Sequence, residues 1–137
     1  MSSSFFQRKA HLELIGAVRY SNIEIVKLLL ENGADPNIKS NEGWTALIYA
    51  ARYSNIEIVK LLLENGADPN IKNNDGYTAL AAATFYNNPE IVKILLEYGA
   101  DPFIKLIPNM QIPKENEQLL AEYQWKRLYQ RDKDTAF

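Results

Sequence analysis

The sequence predicts an all-α solenoid: stacked helix-turn-helix units with projecting β-turns, about three repeats long and capped at both ends. Three observations predict it. The stretch YSNIEIVKLLLENGADPNIK runs from Tyr20 to Lys39 and again, letter for letter, from Tyr53 to Lys72, and a looser copy, YNNPEIVKILLEYGADPFIK, starts at Tyr86. The three starts are 33 residues apart, and self-similarity at a fixed period of this size marks a repeat architecture. Within each copy the apolar spacing is helical, and Gly33, Gly66 and Gly99 recur where a helix end calls for positive φ.

The unit Gly43–Asp75 shows how one repeat is built. Thr45 is placed to cap a short apolar helix, ALIYAARY. Ser54-Asn55 breaks it, with Asn55 expected to take the left-handed turn. A second helix, IEIVKLLLEN from Ile56 to Asn65, sets apolar residues at 58, 59, 61, 62 and 63 and leaves Glu57, Lys60 and Glu64 on the wet side. Gly66 ends it, Asp68-Pro69-Asn70 is turn chemistry, and Asn74-Asp75-Gly76 is a second tight turn. Two short helices and a turn cannot enclose a core alone. Each fully buried Leu, Ile or Val contributes about 1.5–3 kcal/mol, so laying one pair on the next is what stabilises the unit.

Composition narrows the function classes. The chain is 47% apolar and 23% charged, the range of folded proteins. A net charge of -2 and a pI near 5.4 give no chain-wide reason for nucleic-acid binding. Without cysteine there is no disulfide and no thiolate metal site, which suits a reducing compartment. The opening MSSSFFQRKAHLE does not read as a signal peptide, and no run approaches the apolar length of a membrane span. A cytoplasmic, intracellular protein with no membrane partner is expected. The glycines punctuate the repeats; a phosphate-cradling loop needs them closely spaced after a strand.

The stretches GWTALIYAARYSNIEIVKLLLENGADPNIK and GYTALAAATFYNNPEIVKILLEYGADPFIK resemble ankyrin repeats, over residues from about 10 to 105. The usual family pattern has Thr-Pro-Leu-His at the first helix, where this chain has Thr45-Ala46-Leu47-Ile48 and Thr78-Ala79-Leu80-Ala81. A polar tie between repeats and a pre-set helix start are therefore missing. On this reading residues 1–9 are an N-terminal tail and 10–42 a capping repeat, its first helix degenerate with Leu14, Ile15 and Ala17 in register. Residues 43–75 and 76–108 are full repeats, and 109–137 form a C-terminal capping helix and tail. Pro113 opens that helix, expected to reach about Gln130, with Leu119, Leu120, Tyr123 and Leu128 as its apolar side. Glu122 and Lys126 form a favourable i,i+4 pair.

No catalytic set is visible. His11, the sole histidine, lies in the degenerate cap and reads as a surface or capping residue. Asp35, Asp68 and Asp101 fill one turn position at 33-residue intervals and read as structural. No nucleophile motif or metal-ligand spacing occurs. The chain is read as not an enzyme, with no catalytic residues, cofactor, metal or small-molecule substrate expected.

Comparison of the two closest copies carries a further signal. Twenty consecutive positions are identical, and seven differences fall in the other thirteen: Ser40/Asn73, Glu42/Asp75, Trp44/Tyr77, Ile48/Ala81, Tyr49/Ala82, Ala51/Thr84 and Arg52/Phe85. All lie in the projecting turn and first helix. Recent duplication explains the identical tract; diversification of a binding face explains where the differences fall, and both can hold.

In ankyrin-like stacks, turn tips and first helices line the concave face that usually holds a partner. By register the resemblance assigns to that face Arg19 and Tyr20, then Lys39, Asn41, Glu42, Trp44, Arg52 and Tyr53. Lys72, Asn74, Asp75, Tyr77, Phe85 and Tyr86 follow, with Ile107 and Met110 at the end. Tyr20, Tyr53 and Tyr86 form a ladder of one rung per repeat; Tyr49, facing Ala82, reads as packing. Trp125, Arg127 and Tyr129 offer a second contact if the last helix also binds. Tyr, Trp and Arg supply large, rigid contact area with a polar end, the chemistry of binding hot spots. The expected function is a non-catalytic module that binds one protein and occludes it, as an immunity protein, antitoxin or host-directed effector does. Nucleic acid is disfavoured; the alternative would use the basic and aromatic WKRLYQR of the tail.

Overall fold

The computed structural model describes the backbone of residues 2–135 and the side chains of residues 9–134. Among the described residues are seven helices and no strand: α1 (Ser2–Arg19), α2 (Ile23–Glu31), α3 (Ala46–Arg52), α4 (Ile56–Glu64), α5 (Ala79–Phe85), α6 (Pro89–Glu97) and α7 (Lys114–Thr135). None of these helices is long and apolar enough to cross a membrane. The first helices α1, α3 and α5 stack in one layer and the second helices α2, α4 and α6 in another, with α7 against α6.

Local chemistry sets the helix ends. Thr45 and Thr78 accept hydrogen bonds from the backbone N–H of Ile48 and Ala81, at 3.2 and 3.3 Å. Asn22, Asn55 and Asn88 cap the second helices, accepting from Ile25, Ile58 and Ile91. The left-handed residue is therefore not Asn55. It is the one before: Ser21, Ser54 and Asn87 carry φ of 55, 57 and 55°. Asn55 sits at φ -90°, because its side chain has to reach forward over the first turn of α4.

Identical sequences meet different surroundings. In α4, Ile58, Val59 and Leu62 are fully buried between neighbouring repeats. In α2, spelled by the same nine letters, Val26 is buried while Ile25 and Leu28 are exposed. A helix needs a neighbour on both sides to bury its whole stripe, and α2 is contacted by α1 and α4. Leu14, Ile15 and Ala17 of α1 are buried in register.

Two element boundaries depart from expectation. Residues 2–9 are not a separate tail, since α1 is continuous from Ser2. The last helix runs to Thr135 and not Gln130. Leu120 is buried and Leu119 and Tyr123 pack against the core, but Leu128 is exposed, as is every residue from Trp125 to Asp134. The helix outruns the surface it covers.

A polar ladder joins the exit turns. The Asn37 side chain donates to Gly66 O at 3.1 Å and accepts from Asp68 N at 2.7 Å; Asn70 does the same with Gly99 O and Asp101 N, at the same distances. At the near end His11 Nδ1 accepts from Asp35 N at 2.7 Å, the bond that Asn37 and Asn70 make inside the stack. Each turn aspartate closes its own loop, accepting from Asn37 N, Asn70 N or Phe103 N. The polar tie that the first-helix pattern lacks is supplied here by asparagine. Phe103 stands where the next rung would be, and α7 closes the ladder: Gln124 donates to Pro102 O at 3.0 Å and Arg127 pairs with Asp101 at 2.9 Å. Asn116 of α7, fully buried, donates to Thr84 O at 3.2 Å.

Candidate partner-binding face

Tyr53 and Tyr86 are the C-caps of α3 and α5, and Tyr20 directly follows α1. A tyrosine at each first-helix end leaves one ring per repeat in solvent: Tyr20, Tyr53 and Tyr86 are 87, 46 and 52% exposed. Trp44, half-buried ahead of α3, lies 4.8 Å from the buried Tyr49 ring, centroid to centroid. Tyr49 stacks on Tyr53 at 6.4 Å and 5°. Tyr49 thus packs, and it backs the exposed rings.

Arg52, the last residue of α3, joins two repeats. Its guanidinium lies over the rings of Trp44, Tyr53 and Tyr86, at 5.2, 5.8 and 5.7 Å from their centroids. Such contacts are cation–π attractions, stronger where water is partly excluded. Arg19 lies over Tyr49 at 5.4 Å. One repeat further on, Tyr77 meets Phe85 edge to face at 5.9 Å, both half-buried. Lys105, which the sequence reading did not select, covers Tyr77 at 5.0 Å and donates to Asp75 O. Its signal is weak in the sequence, because it occupies the same register as Lys39 and Lys72 but serves the preceding turn.

The turn residues Lys39, Asn41, Glu42, Lys72, Asn74 and Asp75 are all exposed. Adjacent turns are tied: Asn74 donates through its backbone N–H to Glu42 O and through its side chain to Asn41 O, both at 3.2 Å. That close approach is made at Gly43, which is buried with φ of 81°.

The seven differences between the copies do not all face outward. Ile48/Ala81, Tyr49/Ala82 and Ala51/Thr84 are buried on both sides. Asn73 is also buried, its Oδ1 accepting from Asp75 N and Tyr77 N at 3.0 Å, while Ser40 Oγ accepts from Trp44 N at 3.1 Å. These positions adjust packing and turn geometry between unequal neighbours. The differences left toward solvent are Glu42/Asp75, Trp44/Tyr77 and Arg52/Phe85.

The C-terminal candidates fall apart from this cluster. Met110 lines a groove of about 540 Å³ with Phe103, Leu106, Ile112, Leu120 and Gln124, between the last exit turn and α7. Ile107 is half-buried in the preceding turn, its carbonyl accepting from Met110 N at 3.1 Å. Trp125 and Tyr129 are exposed on α7 with ring centroids 6.1 Å apart. Arg127 is exposed too, but its guanidinium is ion-paired with Asp101. Lys126 bonds Glu122 at 2.8 Å, and that hydrogen bond holds the Glu122 carboxyl below its ordinary range and the Lys126 ammonium above its own.

A family model for ankyrin repeats matches residues 14–105 as three copies. The chain belongs to the ankyrin-repeat family. Ankyrin repeats are generally protein–protein interaction modules and generally non-catalytic. Comparison with curated proteins gives no match. In this ankyrin protein the three matched copies end at Lys105, so α7 lies outside the matched repeats.

Proposed function

We propose that this ankyrin protein holds one protein partner on the concave face made by its projecting turns and first helices, and acts by occluding that partner's active or docking surface. An immunity protein, an antitoxin or a host-directed effector works in this way. The observation that carries the reading is the tyrosine ladder: three exposed rings at 33-residue intervals, two of them bridged by Arg52. Large, rigid rings lose little conformational entropy on binding, so solvent-exposed tyrosines held by neighbouring groups favour association. Nucleic-acid binding by the tail has less support, because Lys126 and Arg127 of WKRLYQR are already paired with Glu122 and Asp101.

The test is comparative capture from native cells, using tagged wild type and a variant carrying Tyr20→Ala, Tyr53→Ala and Tyr86→Ala, with circular dichroism to show that the variant folds. One protein retained by the wild type, lost with the folded variant and inhibited by the bound wild type is the expected result. Equal retention by both overturns the site; retention without inhibition overturns the mechanism.

A further inference from the structure

We infer that the partner meets this face with an acidic side chain that docks on Arg52, an inference that rests on the concave-face reading above. The three rings fix the guanidinium in position, yet none of its N–H donors has an acceptor among the described residues. Arg127, by contrast, is satisfied by Asp101. A stacked guanidinium presents its edge as a fork that matches a carboxylate in two parallel hydrogen bonds, and its ordering has been met before the partner arrives. The fold does not require arginine here, since the equivalent position one repeat later is Phe85.

Charge points the same way. Besides Arg52, the turns and first helices of this face carry Arg19, Lys39 and Lys72, with Lys105 over Tyr77, against Glu42 and Asp75, while the whole chain has 15 basic and 17 acidic side chains. The face is therefore basic on an acidic protein. A polyphosphate backbone running along it would pass Glu42 and Asp75 in successive turns, whereas one carboxylate needs only Arg52. A protein segment carrying Asp or Glu is the occupant this arrangement fits.

The experiment is an NMR titration of the intact protein, reading the Arg52 Nε–Hε and Trp44 indole resonances. The probes are hexaglutamate, hexaglutamine and the oligonucleotide (dT)6. Hexaglutamate is expected to shift both resonances and hexaglutamine neither; Arg52→Lys should weaken the response about fivefold or more and Arg52→Gln should abolish it at Trp44. Lys126→Gln should leave it unchanged. Equal shifts with hexaglutamine, an undiminished response in Arg52→Gln, or a response to (dT)6 alone each overturns the inference. If hexaglutamate fails while the tyrosine variant still loses its captured protein, the acidic contact falls and the concave-face reading stands.

Discussion

A Cβ added to Gly43 would lie 2.5 Å from Asn74 Oδ1 and 2.8 Å from the Asn74 backbone nitrogen, so the turn-to-turn tie leaves no room for a side chain. Gly66 has a similar φ, 90° against 81°, but open space around it. Alanine at Gly66 is expected to cost about 1–2 kcal/mol for the left-handed backbone, and at Gly43 at least about 1 kcal/mol more, measured by urea unfolding. Equal costs would mean that the turns are not locked together. Asn70→Ala should remove about 1–2 kcal/mol in the same assay, because two bonds to the next repeat go with it. The turn aspartates were legible as structural from their 33-residue recurrence. The asparagine ladder was not, because recurrence shows that a residue is needed but not which partner it reaches 29 or 31 positions away. The bond from Asp35 N to His11 is equally hidden, because it depends on α1 packing that no local pattern displays.

At the level of elements, α2 and α4 separate sequence from environment. Ile58 is 0% exposed and Ile25 is 41% exposed, in helices with the same nine residues. Ile58→Ala is expected to cost about 2–4 kcal/mol and Ile25→Ala less than about 1 kcal/mol. Comparable losses at both positions, read from paired chemical denaturation curves, would show that the N-terminal face of α2 is covered in solution. Helix positions and the Thr45 cap were legible because threonine and glycine mark helix ends in the two full repeats; the asparagine caps were not, since an asparagine after a break also suits a left-handed turn. The exposure of Ile25 and Leu28 was not, since an amphipathic pattern is the same whether or not a neighbour covers it. The same limit applies to the differing positions: Ile48/Ala81 and Ala51/Thr84 read as part of a diversified face and prove buried, as does Tyr49/Ala82, which reads as packing.

Over the whole molecule, the repeats form one stack closed at its C-terminal end by α7. The closure uses the buried Leu120, the Asn116 bond to Thr84 O, and the Gln124 and Arg127 contacts on the last exit turn. Deleting residues 114–137 is expected to cost at least about 3 kcal/mol and lower the Tm by about 10 °C or more. An unchanged Tm would mean that α7 serves something other than the stack. The last helix and its Glu122–Lys126 pair were legible from the sequence; the length of the helix and the exposure of Leu128 were not, because apolar residues beyond the covered surface look like those beneath it. The measurement that tests the central claim most directly is hydrogen–deuterium exchange with the captured partner bound. Protection concentrated in the projecting turns and first helices, around 39–53 and 72–86, is the predicted result. Protection confined to the second helices, or to α7 around Trp125 and Tyr129, would contradict it.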